Sequence, residues 1–298
     1  ALVAMGVRVE VVAASNSAAR IVGGCTIHSF VTKMSSSQYG FDGTILIDEI
    51  SQLSVGLIAA LDNLRVKNCR LISFGDWRQL PPPSNSYRGQ PVDSDIFKNS
   101  HLLKVWSDCQ LFHLETCRRS DVAHFNFYTN LNSDVQLACV WTRFSYPNNE
   151  DAELHLCISH YRRRLINKRM QEALSVNQPS LQIPAYDAEA GYAGVVGTPL
   201  IGTCCARGIS NGSFYTLVGI QGSVCTVLDT LTNLTLELTA EHLSKVTTLA
   251  HALVYNRCQG MTTSKTVCLH DFSSKFFKLA HLYVGLSRTT NGSLCSWA

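Results

Sequence analysis

The sequence predicts an α/β protein in which parallel sheets flanked by helices build two domains, with a small β-rich insertion in the second. Three observations carry this expectation. Short apolar runs rich in β-branched residues alternate with stretches of helical character, the pattern of strands joined by crossover helices. The 298 residues suffice for two cores of ordinary size. Between residues 195 and 247, glycine-rich turns separate short alternating runs, a texture foreign to the rest of the chain.

In chain order, the runs Val7–Ala13, Thr44–Ile47, Arg70–Phe74, Glu153–Ile158 and Thr266–His270 read as strands. Ser17–Ile21, Val55–Leu64, Arg163–Leu174 and Phe276–Leu282 read as helices. Two stretches bearing Pro with Asn or Gln, Ser145–Glu150 and Gln178–Pro184, read as loops. Within the insertion, Phe214–Ile220, Ser223–Asp229 and Leu234–Leu238 read as strands. The expected boundary falls near residue 112, giving domains 1–112 and 113–298.

Composition narrows the function classes. With 46% hydrophobic and 16% charged residues, the chain is globular rather than disordered. It holds no apolar run long enough for a membrane span and opens without a basic, cleavable leader, so an intracellular place is expected, with nucleus, mitochondrion and viral replication site equally open. A net charge of +3 excludes attachment to nucleic acid by a uniform positive field, though not by a local basic groove. The twelve cysteines form no C-x-x-C pair, so reduced thiols are expected rather than zinc or disulfides.

The strongest motif is Thr44-Ile-Leu-Ile-Asp48-Glu49-Ile-Ser51, a buried strand ending in two carboxylates. Ligands of open α/β sheets sit at that carboxyl edge. There Asp48 can hold Mg²⁺ through its water shell while Glu49 orients the water that attacks a γ-phosphate. A second strand runs into Gly75-Asp76-Trp-Arg-Gln79-Leu-Pro81-Pro82. The Gln79 amide can both donate to a phosphate oxygen and accept from water. The prolines offer a rigid apolar surface to a base or sugar. An ordinary strand ending in a solvated turn would explain either motif alone, but is a weaker account of two in succession.

With these residues in place the chain resembles the petite-integration-frequency (Pif-type) and RecD-like DNA helicases of superfamily 1B, in motif order over nearly all of residues 7–292. Ser15 and Asn16 lie in a segment similar to motif Ia, and Thr26-Ile-His28-Ser-Phe resembles the motif that follows it; both line the single-strand path in that family. Asp48-Glu49 corresponds to Walker B and Gly75–Pro82 to motif III. Leu114–Asp121 resembles motif IV, which makes Arg118 a γ-phosphate arginine. Asn256-Arg257-Cys-Gln-Gly260-Met-Thr262 resembles motif V, and Leu282–Arg288 resembles motif VI with Arg288 as its arginine finger.

The resemblance implies two RecA-like P-loop NTPase domains and an ATP-dependent 5′-to-3′ motor on single-stranded DNA that opens duplex junctions with Mg²⁺-ATP. Asp48, Glu49, Gln79, Arg118, Gly260 and Arg288 would face nucleotide from the two domains. Ser15, Asn16, Thr26, His28, Pro81, Pro82, Asn256, Arg257 and Thr262 would line the DNA. Arginine suits the phosphate role because its guanidinium stays charged and binds bidentately. The basic run Tyr161–Arg169 is either a backbone contact or a solvated helix face.

Three departures stand out. The chain contains no Gly-Lys dipeptide, so the phosphate-gripping loop is missing from these residues, and truncation ahead of Ala1 is the expected cause. Val254 and Asn256 stand where the family carries Thr and His. Only about a dozen residues separate Phe30 from Gly43, where the family's pin domain grows, so that pin is minimal or lost. Two rival readings remain open: an inactive single-strand binding or scaffold module, and a viral superfamily 1 helicase acting on RNA.

Overall fold

The computed structural model describes residues 3–35, 40–83, 85–131 and 151–298. It is an α/β chain that divides into two compact units, Ala1–Thr116 and Cys117–Ala298. The expected loop Ser145–Glu150 lies outside the described residues.

The first unit is built on strands β1 (Val9–Ala13), β2 (Cys25–Thr26), β3 (Phe41–Asp48) and β4 (Arg65–Ser73), all parallel in the order β2-β1-β3-β4. Helices α1 (Asn16–Ile21), α2 (Ile27–Ser35) and α3 (Val55–Asn63) make the crossovers. A hairpin, β5 (Ser86–Tyr87) with β6 (Gln90–Pro91), and helices α4 (Ser94–Lys98) and α5 (His101–Trp106) follow. The stretch after Thr26 folds as α2 because Ile27, Phe30 and Met34 recur at helical spacing and bury one face. They join Val12, Ile45, Ile47, Ile58 and Leu61 in the core, each such side chain contributing roughly 1.5–3 kcal/mol of apolar burial. Trp106 closes that core, and its indole N–H donates to Asp62 at 2.8 Å.

The second unit opens with α6 (Val122–Thr129) and is centred on β7 (Leu154–Cys157), followed by α7 (His160–Ser175). Next come a hairpin, β8 (Leu181–Ile183) with β9 (Tyr192–Gly194), and the strands β10 (Pro199–Gly202), β11 (Phe214–Gln221), β12 (Val224–Asp229) and β13 (Thr235–Thr239). Helix α8 (Ala240–Val246) leads to β14 (Thr247–Leu249), which closes an antiparallel five-stranded sheet. The chain then returns through β15 (Ala252–Val254), β16 (Val267–Leu269), α9 (Leu279–Leu286) and β17 (Cys295–Trp297) to a parallel sheet ordered β15-β7-β16-β17.

Two expectations need correction. Gln178–Pro184 is not all loop: Leu181–Ile183 pairs with β9, because Ile183 is fully buried in the insertion core beside Leu217 and Val227. The last helix begins at Leu279 rather than Phe276, because Ser274 holds the preceding residues in a hydrogen-bonded turn.

Candidate functional site

In the first unit, Ala13 pairs with Thr26 on one side and with Asp48 on the other, so the three stand in a row at the carboxyl edge of the sheet. From β1 the chain moves outward to β2, whereas β3 leads to β4 on the opposite side, so the crevice between the ends of β1 and β3 is a topological switch point. Ser15 caps α1, its Oγ accepting from Ala18 N at 3.2 Å, and Asn16 opens that helix. Thr26 caps α2 in the same manner, accepting from Ser29 N at 3.2 Å. His28 is exposed in the first turn. Two capped helix amino ends therefore follow β1 and β2, both on one side of the acidic strand β3.

Asp48 ends β3 half-buried, and Glu49 follows in the left-handed region at φ 56°, where a non-glycine side chain is uncommon. The end of β4 is stitched to this turn: Phe74 N donates to Ile47 O and Ile50 N to Phe74 O, each at 2.8 Å. Gly75 has to be glycine, because a Cβ there would lie 2.8 Å from Ile50 Cγ2 and 3.2 Å from the Ile50 and Ser51 nitrogens. Gln79 lies in the turn leaving β4, ahead of exposed Pro81 and half-buried Pro82. Ser51 Oγ and Gln79 Oε1 are buried with no hydrogen-bond partner among the described residues, which is costly unless a ligand or water meets them.

In the second unit, β15 runs into a tight turn, Tyr255–Cys258, that leaves Asn256 and Arg257 exposed, with Gly260 at φ 78° and Thr262 exposed beyond. Arg257 Nη1 donates to Gly202 O of the insertion at 3.2 Å. Arg288 is 1% exposed. Its Nε donates to Val284 O at 3.0 Å, its Nη1 to Cys258 O at 3.3 Å and Met261 O at 3.2 Å, and its Nη2 to Ser287 Oγ at 2.7 Å. The guanidinium thus staples the end of α9 to the turn. Arg118 is exposed, whereas Arg119 donates to Ser287 O at 3.4 Å and Ser120 Oγ to Thr289 O at 3.0 Å.

No protein-family model matches the chain. It is 24% identical over 197 residues to the ATP-dependent DNA helicase PIF6 of Trypanosoma brucei brucei, a match covering 56% of this chain and 23% of that protein. The matched region is thus under a quarter of the curated relative's length. Among solved structures, Bacteroides Pif1 bound to single-stranded DNA is similar at TM-score 0.68 and 17% identity, over 99% of this chain and 84% of that one. The Bacteroides enzyme in complex with ADP-AlF3 and single-stranded DNA gives 0.66 and 18%, covering 97% and 82%. Pif1 from Candida albicans gives 0.65 and 17%, covering 97% and 84%. The chain has the Pif1 helicase fold.

Within this Pif1 fold each unit gathers its own set of the expected residues. Asp48, Glu49, Ser15, Asn16, Thr26 and His28 come to one sheet edge in the first unit, and the turn 256–262 meets Arg288 in the second. The motifs do not reveal the residues that fasten Arg119–His124 to the end of the last helix. Among them is His124, whose Nε2 lies 2.9 Å from Leu286 O and whose burial holds its pKa below the usual value. The only signal for it in the sequence is Asp121 as a helix cap, accepting from His124 N at 2.8 Å.

The basic helix is amphipathic in charge. Arg163 is buried and ion-paired with Glu189, and Arg162 pairs with Asp271 at 3.2 Å. Lys168 and Arg169 stay exposed, with Lys168 at 3.9 Å from Glu172. Asn167 and Gln171 continue the stripe of Arg163 inward. Asn167 bonds Leu249 O and both backbone groups of Ala252; Gln171 bonds Ala193 O, Thr198 Oγ1 and His251. The helix therefore holds the insertion to the parallel sheet.

Behind it His155, Cys268 and His270 lie within 4.8 Å of one another, all buried, at spacing that would suit a metal. Their hydrogen bonds argue against one. Arg162 Nη2, which can only donate, lies 3.3 Å from His270 Nδ1, so that nitrogen accepts and Nε2 carries the proton. This proton points to His155 Nδ1 at 2.9 Å, where a ligating histidine would present a bare nitrogen backed by a carboxylate or carbonyl. Burial, followed by the positive groups around it, pushes His270 down to about 4.

Proposed function

We propose that this chain is the motor core of an ATP-dependent DNA helicase of the Pif1 type, translocating 5′ to 3′ on single-stranded DNA. The observation that carries this reading is the acidic pair Asp48-Glu49 at the switch-point edge of a Pif1-like sheet, beside two buried polar atoms that lack partners among the described residues. The donor set there fits Mg²⁺-nucleotide: a carboxylate is a hard oxygen ligand, the Ser51 hydroxyl can donate to phosphate, and Gln79 Oε1 can accept from a water. Bound Mg²⁺ would neutralise charge developing on the transferring phosphate. Asp48 would hold the ion, partly through water. Glu49 would orient and deprotonate the attacking water, Gln79 would register the γ-phosphate, and Arg118 and Arg288 would meet its charge. For Arg288 this role requires release of Cys258 O and Met261 O, which would tie nucleotide arrival to movement of the turn bearing Asn256, Arg257 and Thr262.

Nucleic acid would cross Ser15, Asn16, Thr26, His28, Pro81 and Pro82 in the first unit and Asn256, Arg257 and Thr262 in the second. Hydroxyl, amide and imidazole groups at helix amino ends suit phosphate contacts that position a strand without reading it. Among the described residues no helix is long and apolar enough to cross a membrane. The test is binding of labelled mixed-sequence single strands by the wild-type chain and by His28→Ala plus Arg257→Ala. The expected result is weaker binding and a smaller salt slope in the variant, by about 0.7 for each phosphate no longer neutralised. Equal affinity and equal slope would place the strand elsewhere.

A further inference from the structure

The loop 271–278 leaves the carboxyl end of β16 and runs into α9. Its own hydrogen bonds fix its shape: Ser274 N donates to Asp271 O at 2.9 Å, Phe277 N to Ser274 O at 2.9 Å, and Phe276 N to Ser274 Oγ at 3.2 Å. This turn sends two adjacent phenylalanines to opposite environments. Phe277 packs on Phe272, His281 and Tyr255, with ring centroids 4.7, 5.5 and 5.9 Å away. Phe276 remains 63% exposed, its ring meeting the Lys275 ammonium at 5.1 Å, and Lys278 is exposed two residues on.

A single exposed apolar residue needs no explanation. The surroundings of Phe276 do. Tyr255, on which Phe277 packs, opens the turn that bears Asn256, Arg257 and Thr262, so loop and turn are neighbours on one sheet edge. The amino end of α7 rises from β7, which lies between their strands. There His160 is held below its usual pKa by burial, then by the charges of Arg163, Arg164 and Arg257, against the opposing charge of Glu189, which pairs Arg163. Asp271, the acid of this loop, is already taken by Arg162 and Ile158 N. With Arg162 and Arg163 paired, Arg164, Arg257, Lys275 and Lys278 leave this edge cationic around an aromatic face whose turn is fixed by its own hydrogen bonds. That combination holds single strands by stacking and phosphate attraction.

We propose that Phe276 is a stacking platform for one base of single-stranded DNA, with Lys275 and Lys278 on the flanking phosphates. The inference rests on the nucleic-acid reading above and adds a site to it. It is tested by fluorescence anisotropy of a labelled oligothymidylate over a salt series, with wild type, Phe276→Ala, Phe276→Trp and Lys275→Ala plus Lys278→Ala. Phe276→Ala should weaken binding by about 5- to 100-fold at unchanged salt slope, since base stacking carries little counterion release. Phe276→Trp should bind like wild type, with its emission quenched by the oligonucleotide. The double lysine variant should lower the slope by about 1.4. Phe276→Ala binding as tightly as wild type overturns the stacking site while leaving the nucleic-acid reading intact. A wild-type chain that binds no single strand at low salt overturns that reading, and the site with it.

Discussion

Lowering the pH from 7 to 5 should selectively destabilise the second unit through two buried histidines. His251 and His270 are 6% and 4% exposed, and burial is the largest cause of depression to about 4 in both, from an ordinary 6.5. Both are therefore neutral in the fold and become charged on unfolding. Their contribution is present above the unfolded value and lost as pH falls from 6.5 towards 4. At pH 5 an unfolded histidine is almost fully protonated while a site at about 4 is mostly neutral. The difference amounts to about 2 kcal/mol per residue, or about 4 kcal/mol for the two taken as independent. Ordinary carboxylates are still largely ionised at pH 5, so they mask little of this. Denaturant titrations at pH 7 and 5, with NMR titration of the imidazoles, read the effect directly. Imidazoles that titrate near 6.5, or a stability loss below about 1 kcal/mol, would refute the reasoning and the tautomer chain from Arg162 through His270 to His155.

Further outcomes follow from the same geometry. The 298-residue chain, lacking any Gly-Lys dipeptide, should hydrolyse ATP at background; robust turnover that disappears in Glu49→Gln would contradict this. In a chain that carries the Gly-Lys-Ser/Thr loop, Glu49→Gln should keep nucleotide binding and lose about 10²–10⁴ in rate, measured by steady-state hydrolysis against nucleotide affinity. In that same chain, Arg118→Ala should cost about 10³-fold or more in rate with single-strand affinity nearly unchanged. Arg288→Ala should also lower stability by about 2–4 kcal/mol, because it strips donors from Cys258 O, Met261 O and Val284 O; calorimetry beside kinetics separates the two effects. Gly75→Ala should destabilise the first unit by about 1–3 kcal/mol, since the added methyl meets Ile50; an unchanged denaturation midpoint would show that the Asp48–Ser51 turn can yield.

Much of the fold and of the candidate site is legible locally. Thr44–Ile47 announces itself as a buried parallel strand because both faces must be apolar. Arg70–Phe74 reads as its neighbour although it forms the sheet edge with Arg70 and Phe74 exposed, and Asp48-Glu49 stand at the carboxyl end, where ligands of open sheets sit. Gln178–Pro184 misleads because its prolines outweigh Ile183, whose place depends on a partner strand nine or more residues away. Arg162 and Arg163 look like a basic surface, but Asp271 and Glu189, which pair them, lie distant in sequence. Phe276 and Phe277 are indistinguishable by composition.

By itself, then, the sequence determined the strand-and-helix alternation, the insertion and the order of motifs, because hydrophobic periodicity and turn chemistry act over a few residues. Only the tertiary structure decided which arginines are exposed and which are fastened inward. It also decided that Arg257 reaches Gly202, that Arg288 closes the 258–261 turn, and that one of two adjacent phenylalanines stays in water. Those outcomes depend on partners brought together by the fold across tens of residues, and no local pattern records them.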